Sequence, residues 1–78
     1  MNKQTAINLC KELSGDGLQA MPQYNKGYTD WEIVLHSTVY NTDISRFCRM
    51  YDVVFVDFTF QKWEGVNKTQ DYPIFFRR

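Results

Sequence analysis

Two apolar stripes at helical spacing, one in each half of the chain, constrain its fold more than any other feature. The first stripe predicts a helix over about Lys3 to Ser14, and the second predicts a helix that Asn41 or Thr42 caps and that runs to about Tyr51. Residues three and four apart lie on one side of a helix, so each stripe indicates a buried face. The stripes consist of Ala6, Leu9, Cys10 and Leu13, and of Ile44, Phe47, Cys48 and Tyr51.

Strand-like segments follow each predicted helix. Gly15-Asp16-Gly17 ends the first helix, and Asn25-Lys26-Gly27 predicts a three-residue hairpin turn in which Gly27 takes a positive φ. Pro22 indicates an edge strand or a bulge, and Pro73 indicates an edge position, because proline cannot donate a hydrogen bond to a neighbouring strand. The predicted strands are Leu18 to Tyr24, Tyr28 to Val39, Val53 to Trp63 and Tyr72 to Arg77.

This order predicts a single α+β domain over residues 1–78, with the sequence α-β-β-α-β-β. We expect a four-stranded, mainly antiparallel sheet with the two helices packed on one face. A chain of 78 residues is long enough for one core only. The stripes coincide under a shift of half the chain, so residues 1–39 and 40–78 are interpreted as an αββ pseudo-repeat. The alternative is that any two amphipathic helices align in this way.

Alternation along the strands assigns side chains to the two faces of the sheet. In the second strand, Trp31, Ile33 and Leu35 are expected on the core side, and Glu32, Val34 and His36 on the other. In the third strand, the expected core face is Val54, Val56, Phe58 and Phe60. The expected open face is Val53, Phe55, Asp57, Thr59, Gln61 and Trp63.

Residues with catalytic or metal-binding chemistry are few and scattered. His36 is the single histidine, and its neighbour Ser37 points to the opposite face of the predicted strand, so the two cannot form a nucleophile and base. Cys10 and Cys48 lack ligand spacing and are expected to fill the core as free thiols. Asp57 is either half of a catalytic or metal site or a charge that discourages aggregation, and the second reading is favoured. We therefore expect no enzyme, no cofactor and no metal.

Charge and hydropathy restrict the classes of partner. Nine basic and nine acidic residues balance, which argues against non-specific nucleic-acid binding. No apolar run approaches the roughly 20 residues that span a bilayer, and no apolar segment follows the first residues as in a signal peptide. A cytoplasmic protein without a membrane partner is expected.

Aromatic residues make up 17% of the chain and favour a binding role. The expected protein-binding surface consists of Phe55, Asp57, Trp63, His36 and Glu32. The sequence therefore predicts a non-enzymatic protein–protein interaction module. Such a module suits an inhibitor or adaptor of a larger complex, of the kind that phages encode as anti-CRISPR inhibitors, and a homodimer fits the same features.

The alternative function is binding of single-stranded nucleic acid by the open aromatic face of the sheet. Bases would stack on the aromatic side chains, and basic residues would contact phosphates. Those basic residues are Lys62, Lys68, Arg77 and Arg78.

Overall fold

The computed structural model describes residues 1–36, 41–61 and 70–77, without the side chains of residues 41, 42, 60, 61, 70 and 71. Within these residues, two helices and four strands follow one another in the predicted order, which confirms the α+β class. The elements are α1 (Lys3–Gly15), β1 (Ala20–Asn25), β2 (Asp30–Leu35), α2 (Asn41–Tyr51), β3 (Val54–Gln61) and β4 (Gln70–Phe76). The proposed caps of α2, Asn41 and Thr42, have side chains outside the described residues.

The strands form one antiparallel sheet in the order β1-β2-β4-β3. Each hairpin contributes an outer and an inner strand, and the inner strands β2 and β4 join the hairpins through the pairs Ile33–Phe75 and Val34–Ile74. This order is symmetric about the β2–β4 junction. The relationship between the two halves of the chain stays a prediction.

Helix α1 begins and ends as its sequence predicts. The Asn2 side chain accepts a hydrogen bond from the Thr5 amide at 2.8 Å, which satisfies one of the free amides of the first turn. At the other end Gly17 has a φ of 81°, and the Leu18 amide donates to the Leu13 carbonyl at 2.8 Å. This left-handed glycine and its reverse bond make a Schellman ending, in which a residue with a side chain would be strained.

Helix α2 ends in the same way without a glycine. Asp52 has a φ of 54°, and the Val53 amide donates to the Cys48 carbonyl at 3.1 Å. The Arg77 guanidinium, from the end of β4, donates to the carbonyls of Tyr51 and Asp52. A cation at these carbonyls satisfies acceptors that the helix itself leaves free.

Buried side chains on the helices and on alternate strand positions form the main core. As predicted, the buried residues of both helix stripes and the β2 positions Ile33 and Leu35 belong to it. Its partly buried neighbours include Cys10, Ile44, Cys48 and Trp31. Phe75 lies at its centre, with ring centroids 4.5 Å from Phe47 and 5.9 Å from Phe55. Its buried residues are Ala6, Leu9, Leu13, Ile33, Leu35, Phe47, Tyr51, Val53 and Phe75.

The intervening positions of the inner strands form a second, smaller cluster. It consists of Val34, Tyr72 and Ile74, with Met21 and Val56 packed against it. Since Val34 and Ile74 alternate with core residues along β2 and β4, this cluster lies on the other face of the sheet.

A β-bulge between Phe55 and Asp57 changes which residues of β3 face the core. Phe55 lies opposite Phe75 and packs against the main core, and Val53 is buried in it, so their predicted place on the open face was wrong. Val56 packs against the second cluster instead of the main core. Strict alternation failed here because the bulge inserts one extra residue into the strand.

Pro22 occupies an edge strand as predicted, but Pro73 lies in the inner strand β4. The prediction for Pro73 was therefore wrong. Because the His36 amide bonds to the Gln19 carbonyl on the β1 side, Leu35 directs its backbone groups toward β4, opposite Pro73. The pairing of β2 with β4 ends at Val34 and Ile74. Pro73 therefore lies beyond the last pair, and its lack of an amide hydrogen removes no hydrogen bond between the two strands.

The Tyr51 hydroxyl joins the ends of the two helices and makes a pH-dependent contribution to stability. It donates to the Asp16 carboxylate at 2.6 Å, and this bond, followed by burial, raises the pKa of Tyr51 from 10.0 to about 12. A raised tyrosine pKa means that the fold favours the neutral phenol. The stabilisation is therefore complete below pH 10 and is lost as the pH rises toward 12.

We expect a titration of tyrosinate absorbance to show one late ionisation that Tyr51→Phe removes. Asp16→Asn should move that ionisation back toward the ordinary tyrosine range, because the carboxylate acceptor is gone. If all tyrosines of the wild-type protein ionise together, the Tyr51–Asp16 bond does not exist in solution.

Candidate binding surface

The β1–β2 turn is held in one conformation by Asn25. Its side-chain oxygen accepts the amides of Gly27 at 2.9 Å and Tyr28 at 3.2 Å. The loop between β1 and β2 spans residues 26–29. The positive φ lies at Thr29, with a value of 51°, so the predicted three-residue turn with a left-handed Gly27 was wrong. The Asn25 side chain stabilises the turn by accepting these two hydrogen bonds, whereas the prediction relied on a left-handed Gly27.

Beneath the turn, Glu32 is a charged residue with only 2% of its surface exposed. One carboxylate oxygen accepts a hydrogen bond from the side-chain amide of Gln23, and the other accepts one from the side-chain amide of Asn25, each at 2.9 Å. A buried carboxylate needs such donors, since leaving it without partners is costly. Glu32 therefore orients Asn25, which in turn positions the backbone that carries Tyr28.

Two exposed tyrosines flank this turn and are held by neighbouring rings. Tyr28 is 62% exposed and stacks on Phe76, with centroids 6.0 Å apart and planes at 25°. Tyr24 is 47% exposed and meets Trp31 edge-on at 5.7 Å. These contacts restrict the conformations of the rings in the free protein. Binding of a partner to them would therefore cost little side-chain conformational entropy. We call Tyr24, Tyr28, Trp31 and Phe76 the hairpin end.

Charged groups border the hairpin end. The Lys3 ammonium lies 5.5 Å from the centroid of the Trp31 ring, a cation–π distance. The amino group of Met1 donates to the Asp30 carboxylate at 2.6 Å and to the Arg77 carbonyl at 3.0 Å. The bond from this ammonium, and a second from the Trp31 amide, hold the pKa of Asp30 below its usual 3.8. The first residue thus ties β2 to the end of β4.

The sequence-predicted protein-binding residues are only partly brought together. Glu32 and His36 lie on the face of the second cluster, where the His36 ring is 4.5 Å from that of Tyr72, and Asp57 lies opposite Ile74 on the same face. Phe55 is on the main-core side, and Trp63 lies outside the described residues. Their role in binding stays a prediction.

The predicted phosphate-binding residues are likewise divided. Arg77 uses two of its nitrogens to cap α2. Lys62, Lys68 and Arg78 lie outside the described residues.

Both cysteines are free and partly buried against the main core, as expected. Burial raises the pKa of Cys10 and of Cys48, and a hydrogen bond from the Phe55 backbone offsets part of the rise at Cys48. Within the described ranges, no three His, Cys, Asp or Glu residues are grouped so as to hold a metal ion. No helix in the same part of the chain is long and apolar enough to cross a membrane.

The hairpin end was not identified as a binding surface from the sequence. The available signal was the turn itself, since residues beside a hairpin turn are exposed and two tyrosines bracket Asn25-Lys26-Gly27. The aromatic residues of the predicted third strand gave the stronger pattern in the sequence.

Comparison of this chain with protein-family models, with curated proteins and with solved structures finds no match.

Proposed function

We propose that this chain is a non-enzymatic protein-binding module, an inhibitor or adaptor of a larger complex, whose contact surface is the hairpin end. The observation that carries the proposal is the pair of exposed tyrosines, Tyr24 and Tyr28, on a turn anchored by the buried Glu32. Tyrosine and tryptophan dominate the energetics of protein interfaces, because a rigid ring buries a large area and its polar group can still hydrogen-bond.

The geometry of the turn adds to this argument. Gln23, Asn25 and Glu32 form a hydrogen-bonded unit that holds Tyr28 through its backbone. A surface that is rigid before binding keeps more of its contact energy as affinity. The proposed contact surface is therefore the end of the sheet at the β1–β2 turn, and not the sheet face around Phe55 and Trp63 that the sequence predicted.

The test is retention of proteins and nucleic acids from a lysate of the organism that encodes the chain, with and without nuclease treatment and at low and high salt. We expect Tyr28→Ala to weaken binding of the retained protein by about 2 kcal/mol, roughly 30-fold in Kd, as for a typical interface hot spot. Met50→Ala is the control, because Met50 is an exposed apolar residue of α2 that is not part of the hairpin end.

Equal loss of binding in both variants, or none in Tyr28→Ala, would contradict the assignment to the hairpin end. Recovery of nucleic acid that is lost at high salt and is insensitive to Tyr28→Ala would instead favour the nucleic-acid alternative, because phosphate contacts weaken steeply with ionic strength.

A further inference from the structure

The outer edge of β3 has the features of a strand that pairs with another chain. β3 spans eight residues, Val54–Gln61, without a proline, and lies at the end of the strand order. The opposite edge, β1, carries Pro22, which lacks an amide donor. An apolar edge strand is a template for strand addition unless something blocks it. Of the two edges, β3 is therefore the one that needs protection.

The backbone amide at the middle of this edge is already bonded. Pairs of Asp57 with Ile74 and of Thr59 with Tyr72 flank Phe58, whose amide donates to the Asp57 carboxylate at 2.7 Å. The carboxylate is exposed. Because it accepts from the Phe58 amide, it occupies the position that a carbonyl oxygen of an added strand would take. Nearer the start of the strand, the Phe55 amide donates to the Cys48 sulfur of α2.

We propose that Asp57 closes the outer edge of β3 against a second copy of this chain, and that removal of its carboxylate opens β3 to antiparallel β3–β3 pairing. An added strand would displace the carboxylate from the Phe58 amide and place a carbonyl oxygen beside the negative charge. Both changes are unfavourable, since a carboxylate that loses its donor while being desolvated is costly. The bulge at the same position also disturbs pairing.

A second copy is the occupant that β3 itself fits. With two β3 strands antiparallel about Phe58, each Asp57 position lies across from Thr59 of the partner, so the two acidic positions are not directly opposed. Phe58, which is 43% exposed, meets its own copy at the centre. Cross-strand aromatic pairs stabilise antiparallel strands. The paired state is therefore held back chiefly by the carboxylate.

The experiment is sedimentation velocity of the full chain over a wide concentration range. We expect that wild-type protein does not self-associate through the β3 edge. Asp57→Thr should self-associate with a dissociation constant at least about tenfold lower than that of the wild type. Asp43→Thr, the same substitution at an exposed position of α2, should behave as wild type. Asp57→Ala takes the place of Asp57→Thr in the comparison if circular dichroism shows that the threonine variant is unfolded.

A double variant, Asp57→Thr with Phe58→Pro, identifies the edge. Proline removes the outward amide without removing a bond to β4, so this variant should be monomeric. A monomeric Asp57→Thr, a double variant that still associates, or equal association of Asp43→Thr would each overturn the proposal. Tyr28→Ala should leave the self-association unchanged. The test of the β3 edge is therefore independent of whether the hairpin end binds a partner protein.

Discussion

Phe75→Ala is expected to lower the free energy of unfolding by about 3–5 kcal/mol, as large-to-small substitutions of buried phenylalanines do. Phe75 is 0% exposed, and its ring contacts those of Phe47 from α2 and Phe55 from β3. Its removal leaves a cavity where the second helix meets the sheet. A domain of 78 residues has about 4–12 kcal/mol in total, so this variant should be close to unfolding.

Urea denaturation followed by circular dichroism and tryptophan fluorescence measures the effect. Phe58→Ala is the matched control: the same substitution at an exposed ring that contacts Phe55 should lower the free energy of unfolding by only about 1 kcal/mol. Phe75→Leu should fall between wild type and Phe75→Ala, because it refills most of the cavity. Equal losses at Phe75 and Phe58 would show that Phe75 is not the centre of the core.

Glu32→Ala should have the second-largest effect, because it removes the buried carboxylate that accepts from the side-chain amides of Gln23 and Asn25. Both donors are half-buried, and loss of a hydrogen bond to a charged group lowers the free energy of unfolding by about 1.5–3 kcal/mol. Asn25 would then hold the turn less firmly, since its orientation depends on Glu32. We therefore expect two results: lower stability and weaker binding through Tyr28.

Glu32→Gln separates the hydrogen bond from the charge. Its amide oxygen can still accept from Asn25, so the turn should keep its conformation and the loss of stability should be less than half of that in Glu32→Ala. Denaturation gives the stability, and nuclear Overhauser contacts between the rings of Tyr28 and Phe76 report on the turn. If those contacts persist unchanged in Glu32→Ala, then Glu32 does not position the hairpin end.

Much of the fold was predictable because its local signals agree with one another. The stripe that includes Leu9 and Leu13 lies on the buried side of α1, and Gly17 takes the left-handed conformation that ends the helix. The β2 positions Ile33 and Leu35 face the main core as alternation predicts. These features depend on residues within a few positions of one another.

The proposed binding surface was less predictable, since its residues are related by distant contacts. Glu32 was identified as a candidate, but only the pairing of β1 with β2 shows that both of its oxygens are bound by amides. The backbone amide of Tyr28 is bonded to the Asn25 side chain, and Gly27 does not take the expected left-handed conformation. Phe55 was misplaced because one inserted residue reverses the alternation along β3.

The sequence by itself determined which segments are helices and strands, their order, and the buried side of α1, α2 and β2, because periodic apolar residues and capping residues act locally. Only the tertiary structure decided the strand order, the position of Pro73 inside the sheet and the face occupied by Phe55. The register of β3 on β4 and of β4 on β2 depends on hydrogen bonds and packing between segments far apart in the chain. No local pattern of residues specifies those contacts, since a shift of one residue exchanges the two faces of a strand.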